Sequence, residues 1–298
     1  MLVNDVVCLA MAPIVVGGCV GRQLDPRPFL LALAAAANVG SAATLIGNPQ
    51  NILIGQVLHL SFAGYLADAA VPALLGLAVV WWVLVRQTGE RWYRPQPAVA
   101  IAAPRLDAWQ SGKGLALLAV LMACFLGGVG ERDTLALAAA ALLLVSRRTS
   151  SRALLAQVDG QLLLLFIALF VVNHAVAASG ALVAVSDRLA AGMDDIRQPG
   201  WLFAVTVVLS NLVSNVSAVM LRLPMAAGPH AGAILALAGT LAGNLLLVGS
   251  IANLIVVDQA GRLGIAIGWR EHARAGVPIT ALTSALAVAW LWWRAGPG

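Results

Sequence analysis

The stretch "NVGSAATLIGNPQNILIG", residues 38–55, places polar and helix-breaking residues within an apolar part of the chain. A polar group that is buried in hydrocarbon without a hydrogen-bond partner costs several kcal/mol, so such groups persist only where the protein or a ligand uses them. The stretch therefore predicts an interrupted helix with oxygen atoms at the interruption, and the interrupting residues are Asn38, Ser41, Thr44, Gly47, Asn48, Pro49, Gln50 and Asn51.

The composition excludes a soluble protein. The 298 residues are 61% hydrophobic and 10% charged, with a mean hydropathy of +0.90, which leaves too little polar surface to cover a soluble domain of this size. No ten-residue segments alternate with period two, so a membrane barrel is excluded as well. We predict an all-α, polytopic membrane protein whose apolar stretches are 29–46, 69–85, 114–129, 134–145, 162–178, 201–221, 232–248 and 277–293.

The positive charges predict the topology. Thirteen of the 18 Lys and Arg residues fall in segments 21–28, 86–113, 146–152 and 261–275, which the positive-inside rule places in the cytoplasm. The net charge of +5 therefore reports membrane orientation, and we expect no nucleic-acid partner. Residues 38–55 then lie within a single crossing. Unwound backbone at membrane depth is typical of secondary carriers, where half-helix ends bind ions.

A second copy of the pattern occurs near the C-terminus. The segment "GNPQNILI" (47–54) aligns with "GSIANLIV" (249–256), and "NDVVCLAMAP" (4–13) aligns with "NVSAVMLRLP" (215–224). Carriers of this kind are commonly built from inverted repeats with matching helix breaks. We predict a first repeat at 1–85, a cytoplasmic linker at 86–113 and a second repeat at 114–298. The matched positions are Gly47 with Gly249, Asn48 with Ser250, and Asn51 with Asn253, and a polar pair, Gly243–Asn244, lies upstream as Gly40–Ser41 does.

Residues 200–223 predict a re-entrant helical hairpin. Ser214 and Asn215 lie in the middle of this apolar stretch and would form the hairpin tip, with Ser217 in the returning half-helix. Their oxygen atoms could ligate a small cation, and the N–H groups of the returning half-helix could face an anion. The alternative is that these side chains join neighbouring helices by hydrogen bonds.

The motifs "VNDVVCLAMAP" (3–13), "NVGSAATLIGNPQNILI" (38–54), "LSNLVSNVSAVML" (209–221) and "VDGQLLLLFIALFVVN" (158–173) carry a family resemblance. With them, essentially the whole chain resembles the ion transporter superfamily, which includes arsenical pump membrane proteins, citrate carriers, sodium/proton antiporters and divalent anion/sodium symporters. The resemblance implies a scaffold and a transport domain, an elevator-like movement, and a homodimer. It also implies a substrate held between two hairpin tips and two broken helices.

The resemblance implies one ion site at Asn4 with Gly40 and Ser41, and a second at Ser214 and Asn215 with Gly243 and Asn244. Together with the repeat, it leads to one set of candidate ligands for the substrate and the coupling ion. This set is Asn4, Asp5, Gly40, Ser41, Thr44, Gly47, Asn48, Asn51, Ser214, Asn215, Ser217, Gly243, Asn244, Gly249, Ser250 and Asn253.

The tips depart from the Ser-Asn-Thr triplet of the symporter branch, which leaves the coupling ion open between H⁺ and Na⁺. Asp5 is the one carboxylate at a predicted site, and an acid within the membrane is by default a candidate for proton or cation binding. It could instead be a structural partner of a backbone N–H or of Arg222. Arg222 could itself meet an anionic substrate or extend to the membrane interface.

The start of the chain is a further departure. About 100 residues of the second repeat precede Asn215, whereas three residues precede Asn4. We therefore expect an N-terminally incomplete carrier that lacks about three helices and half a hairpin, through a misplaced start, a split gene or a degraded copy.

These observations predict a secondary active transporter of a small anion, either a carboxylate or an oxyanion or metalloid such as arsenite, in the cytoplasmic membrane. A proton or cation gradient would drive it, and its partners would be the substrate, the coupling ion and the lipid bilayer. The alternatives are a sodium/proton antiporter and an inactive remnant. We expect no cofactor and no enzyme activity, since the sequence has no phosphate-binding loop and no paired acids at one depth.

Overall fold

The computed structural model describes residues 3–89, 92, 107–145, 199–226, 228 and 230–295, with isolated positions between 152 and 180. All regular structure in these ranges is helical, as predicted. The α-helices are α1 (Asn4–Val20), α2 (Pro26–Ser41), α3 (Pro49–Val57), α4 (Phe62–Thr88), α5 (Ala108–Leu126), α6 (Arg132–Leu144), α7 (Pro199–Leu212), α8 (Asn215–Arg222), α9 (Ala231–Ala242), α10 (Ile251–Arg262) and α11 (Trp269–Ala295).

The chain divides into two compact units. The first comprises residues 1, 61–63 and 104–192, and the second comprises residues 2–60, 64–103 and 193–298. In the first unit α5 packs against α6, and the Phe62 and Phe125 rings lie 5.7 Å apart. Every predicted ligand belongs to the second unit. The motif at 158–173 lies outside the continuously described residues.

Both predicted helix breaks are present. Helix α2 ends at Ser41 and α3 begins at Pro49, while α9 ends at Ala242 and α10 begins at Ile251. Proline fits the first helical position because that position needs no N–H donor, so Asn48 and Pro49 together start α3. The predicted hairpin break is present as well, since α7 ends at Leu212 and α8 begins at Asn215.

Helices α1, α2 and α10 enclose one core of the second unit. Small residues allow these helices to approach closely, as is usual for helices packed in membranes. The buried side chains of this core are Cys8, Ala12, Val16, Leu30, Ala34, Ala252, Val256, Ala260, Ile265 and Ile267.

The 27-residue helices α4 and α11 run antiparallel within the second unit. Near the start of α4, the Asp68 carboxylate accepts from Arg294 at 2.7 Å; near its end, Gln87 Nε2 donates to the Arg274 carbonyl at 2.7 Å. Helices α4, α5 and α11 are the described helices that are both long and apolar enough to cross a membrane. Helix α4 extends to Thr88 and α5 begins at Ala108, so both ends of the segment 86–113 are helical.

Candidate functional site

The first break is closed by asparagine side chains. Asn48 and Asn51 are fully buried, and the Asn48 side chain caps α3 by accepting from the Asn51 backbone N–H at 2.9 Å. Asn51 Nδ2 reaches back across the break to the carbonyls of Ser41, at 3.3 Å, and Thr44, at 3.0 Å. The first bond satisfies a carbonyl at the end of α2, and the second holds the turn that follows it. The break is therefore a defined turn.

Gly47 sits where this turn is tightest. A Cβ atom at this position would lie 2.0 Å from the Ser41 carbonyl oxygen, so only glycine fits. The Gly47 carbonyl accepts from the backbone N–H of Asn4 at 3.0 Å, which joins the turn to the start of α1.

The second break repeats these contacts. Asn253 Nδ2 donates to the carbonyls of Gly243, at 2.8 Å, and Leu246, at 3.2 Å. A Cβ atom on Gly249 would lie 3.2 Å from the Gly243 carbonyl and 3.0 Å from Asn211 Oδ1. Asn253 and Gly249 thus hold the second turn as Asn51 and Gly47 hold the first.

Each break is also supported by the long helix that follows it. The Tyr65 hydroxyl of α4 donates to the Ala42 carbonyl at 2.7 Å, and His272 Nε2 of α11 donates to the Asn244 carbonyl at 3.1 Å. Tyr65 and His272 are each the fourth residue of their helix. The fourth residue of each long helix therefore contacts a carbonyl one or two residues after the first half-helix of its break, which is α2 or α9.

The two breaks are bonded to each other through Asn38 of α2. Asn38 Nδ2 donates to Asn244 Oδ1 at 2.9 Å and to Asn253 Oδ1 at 3.1 Å, and Ser250 Oγ donates to Asn38 Oδ1 at 2.9 Å. Asn38 is 1% exposed, so its polar atoms depend on these partners.

Thr240 of α9 makes the reciprocal connection to the first break. Its Oγ1 accepts from Asn48 Nδ2 at 3.1 Å and from Gln50 Nε2 at 3.3 Å, and it donates to Asn51 Oδ1 at 3.4 Å. Asn48 Nδ2 also contacts Ser41 Oγ at 3.0 Å. The cross-linked side chains form what we call the break network, which consists of Asn38, Ser41, Asn48, Gln50, Asn51, Thr240, Asn244, Ser250 and Asn253.

Asn4 joins this network, whereas Asp5 does not. Asn4 Nδ2 donates to Asn38 Oδ1 at 3.1 Å, and Asn4 Oδ1 is buried without a hydrogen-bond partner in the described part of the chain. The neighbouring Asp5 is 3% exposed. Among the described ion pairs none involves Asp5, and the Arg222 guanidinium contacts Met225 Sδ at 3.0 Å. The structure therefore shows no Asp5–Arg222 pair.

At the hairpin tip, Ser214 caps α8 by accepting from the Ser217 N–H at 3.1 Å, and its Oγ donates to Ser217 Oγ at 2.8 Å. The Asn215 amide contacts Ser210 Oγ, and with its Nδ2 turned toward the Gly249 carbonyl it donates there at 2.9 Å. Asn211 Nδ2 donates to the Ala242 carbonyl at 3.2 Å. The hairpin thus contacts the second break from both of its helices.

Most predicted ligands therefore meet in the second unit. The break network and its direct contacts include Asn4, Ser41, Gly47, Asn48, Asn51, Asn215, Gly243, Asn244, Gly249, Ser250 and Asn253, while Thr44 contributes its carbonyl. In the described contacts, no hydrogen bond links the side chains of Asp5, Ser214 or Ser217 to the network, and a Cβ atom on Gly40 would meet open space.

The predicted ligands did not include Asn38, Thr240, Tyr65 or His272. One signal was available, because extending the alignment of 47–54 with 249–256 upstream pairs Asn38 with Thr240. Tyr65 and His272 differ in chemistry, so the sequence alone gave no reason to pair them.

Comparison with known proteins identifies the family. A family model described as citrate transporter matches residues 1–242. The inner membrane protein YbiR of Escherichia coli is 32% identical over 275 residues, which cover 91% of this chain and 68% of that protein. An uncharacterized transporter of Mycobacterium tuberculosis is 27% identical, with 99% and 73% covered, and the silicon efflux transporter of Oryza sativa is 25% identical, with 97% and 75% covered.

The chain is thus similar along nearly its whole length to proteins named as transporters, and the helix breaks lie within the matched region or directly after it. This chain is a membrane transporter protein that belongs to the citrate transporter family.

Proposed function

We propose that the chain carries a small anion across the cytoplasmic membrane by secondary active transport, as a multi-pass protein driven by a proton or cation gradient. The family description names citrate, and the rice relative is named for silicon efflux. Both names support a small oxygen-rich substrate, either a carboxylate or an oxyanion.

The observation that carries this proposal is the direct bonding of the two breaks in one buried network. Asn38 of α2 bonds to the second break, and Thr240 of α9 bonds to the first. Each break therefore contacts a half-helix that belongs to the other break. Helix N-termini attract anions, and α3 and α10 both begin at this network. The network supplies the paired, unwound elements that alternating-access carriers use.

Three buried side-chain atoms at the network are suited to ligands. Asn4 Oδ1 and Asn211 Oδ1 are acceptors without a hydrogen-bond partner in the described chain, and Asn244 Nδ2 is a donor without one. A buried polar atom left in this state costs about 1–3 kcal/mol, and a ligand of opposite character would offset that cost. We therefore assign Asn4 and Asn211 to the coupling cation, and Asn244 to the anionic substrate.

The matching contacts support an inverted repeat. The turns at Asn51 and Asn253, the close approaches at Gly47 and Gly249, and the positions of Tyr65 and His272 correspond one to one. We infer that the two halves have related folds and that both contribute to one binding region.

Uptake into proteoliposomes tests the proposal. Labelled citrate, succinate, arsenite and silicic acid would be offered in turn, under an imposed proton gradient or an imposed sodium gradient. We expect gradient-dependent accumulation of one of these substrates.

Asn244→Asp keeps the acceptor for Asn38 but replaces the free donor with a negative charge, so it should abolish anion uptake. Gln56→Glu makes the same chemical change at an exposed position and should leave uptake intact.

A sodium/proton antiporter is the second candidate, because Asp5 is a buried carboxylate beside Asn4. In that case sodium would drive proton movement without any of the four substrates, and Asp5→Asn would abolish it. For the anion carrier, Asp5→Asn should uncouple uptake from the gradient while substrate exchange continues. Full gradient-driven uptake by Asp5→Asn would remove Asp5 from the coupling mechanism, and the exposed Asp258→Asn serves as the control.

A further inference from the structure

A polar cavity of about 550 Å³ lies in the second unit, where α4 ends and where α2 and α11 begin. Its wall contains three arginines, Arg27, Arg270 and Arg274, and two acids, Asp25 and Glu271. None of the break-network residues lines it among the described residues. The cavity is therefore separate from the site assigned to transport.

The charges around this cavity favour an anion. Three guanidinium groups outnumber two carboxylates, and the first turns of α2 and α11 both border the cavity. Each helix N-terminus adds about half a positive charge. The Asp25 carboxylate is already occupied, since it accepts from the Arg27 backbone N–H at 3.0 Å as the cap of α2. Among the described wall residues, positive charges therefore exceed negative charges by one.

The guanidinium groups retain donors for a ligand. Arg27 Nε is buried without a hydrogen bond in the described chain, and Asp25 Oδ1 is 3.9 Å away from it. Arg270 and Arg274 form no ion pair with any residue that the structure describes. They are four residues apart on α11, so they lie on one face of the helix. A planar guanidinium donates two parallel hydrogen bonds to an oxyanion such as phosphate.

The surroundings resemble those of a membrane interface. The Arg270 guanidinium lies 5.2 Å from the exposed Trp269 ring, and that of Arg86 lies 5.3 Å from the exposed Trp82 ring. Tryptophan and arginine are enriched together at the level of lipid headgroups, and anionic lipids attract basic groups on the cytoplasmic face.

We propose that this cavity is a phosphate-binding site, distinct from the transport site, and that it takes a phosphate group through Arg27, Arg270 and Arg274. An anionic phospholipid or free phosphate could supply that group. The experiment uses the full chain in nanodiscs of phosphatidylcholine with and without phosphatidylglycerol, and counts retained phosphatidylglycerol by native mass spectrometry. In a second arm, inorganic phosphate is titrated in phosphatidylcholine alone, with thermal unfolding as the readout.

The double variant Arg270→Gln/Arg274→Gln should bind the phosphate group at least about tenfold more weakly, since each charge-assisted hydrogen bond contributes that much. Arg22→Gln removes the same charge from an exposed position outside the cavity and should bind normally. Retention of phosphatidylglycerol that depends on the arginines identifies a lipid site. A phosphate-dependent shift of the unfolding temperature without lipid retention identifies a free-anion site.

Glu271→Gln provides a test in the opposite direction. It removes a negative charge from the cavity wall, so it should strengthen binding of the phosphate group several-fold. This variant tests the proposal even if the double variant does not fold. The proposal is overturned if neither phosphatidylglycerol nor phosphate distinguishes the wild type from the arginine variant. It is also overturned if Glu271→Gln binds no more tightly than the wild type.

Discussion

Gly47 shows how one residue determines the shape of a helix break. The backbone passes so close to the Ser41 carbonyl that a methyl group would lie 2.0 Å from its oxygen. The clash involves backbone on both sides, so a side-chain rotation cannot relieve it. The nearby Gly40 lies within α2, and a methyl group there would meet open space.

These two glycines form a matched pair for a stability measurement. Gly47→Ala should lower the free energy of unfolding by about 1–3 kcal/mol, because it overpacks the turn. Gly40→Ala should be neutral or should stabilise α2 by up to about 1 kcal/mol, because alanine favours the helix. Thermal unfolding in detergent would compare the two variants. Equal unfolding temperatures would contradict the close approach at Gly47.

At the scale of elements, the structure depends on how its half-helices begin. Helix α8 has eight residues and is preceded by its N-cap Ser214, whose hydroxyl accepts from the Ser217 N–H. A helix this short has few bonds of its own, so its cap contributes a large share of its stability. Its start lies at the tip of the hairpin, where it contacts the second break.

Removing this cap should have a measurable cost. We expect Ser214→Ala to destabilise the protein by about 1 kcal/mol. Ser217→Ala removes the hydroxyl contact between the two serines but keeps the capping bond, and its cost should be smaller. Hydrogen exchange of the α8 amides would report the difference. Equal exchange in the two variants would show that the cap does not hold the hairpin tip.

The bond between Asn48 and Thr240 joins a half-helix of one break to the other break. A double-mutant cycle with Asn48→Ala and Thr240→Val should give a coupling energy of about 0.5–3 kcal/mol, as is usual for residues in one network. In the control cycle, Thr206→Val replaces Thr240→Val. The Thr206 hydroxyl is equally buried but donates to the Leu202 carbonyl of its own helix, so this cycle should give no coupling energy. Additive effects in the Asn48–Thr240 cycle would argue against a shared network.

At the scale of the whole second unit, Asp68 connects three helices. Its carboxylate accepts from Arg294 of α11 at 2.7 Å and pairs with His230, which precedes α9, at 2.8 Å. Its backbone carbonyl accepts from Trp290 Nε1 at 2.8 Å. Asp68 therefore holds α4, α9 and α11 together at the end opposite to the Gln87–Arg274 bond.

Asp68→Asn removes the negative charge that faces Arg294 and His230, and it keeps the size of the side chain. We expect a loss of about 1–3 kcal/mol, because the Asp68 side chain is only 14% exposed and its bonds to Arg294 and His230 would be weakened. Asp258→Asn breaks an exposed pair with Arg262, for which about 0.5 kcal/mol or less is expected. Unfolding temperatures of the two variants would be compared at pH 7. An equal effect would show that Asp68 contributes no more than a surface pair.

Local features of the sequence are sufficient to predict the helical membrane class, the two breaks and the hairpin break. Composition, proline and glycine positions, and the repeated asparagines act locally along the chain, and the helices indeed end at Ser41, Leu212 and Ala242. The family resemblance from the same motifs was confirmed by the citrate transporter match.

The choice of hydrogen-bond partners among the polar groups depends on the tertiary packing and could not be predicted. Asn38 meets Asn244 more than 200 residues away, and His272 takes the position that Tyr65 has in the other half. Such contacts depend on the packing of distant helices, which a periodic pattern does not encode. Asp5 illustrates the same limit, because burial without an Arg222 ion pair follows from where α1 packs and not from the residues beside it.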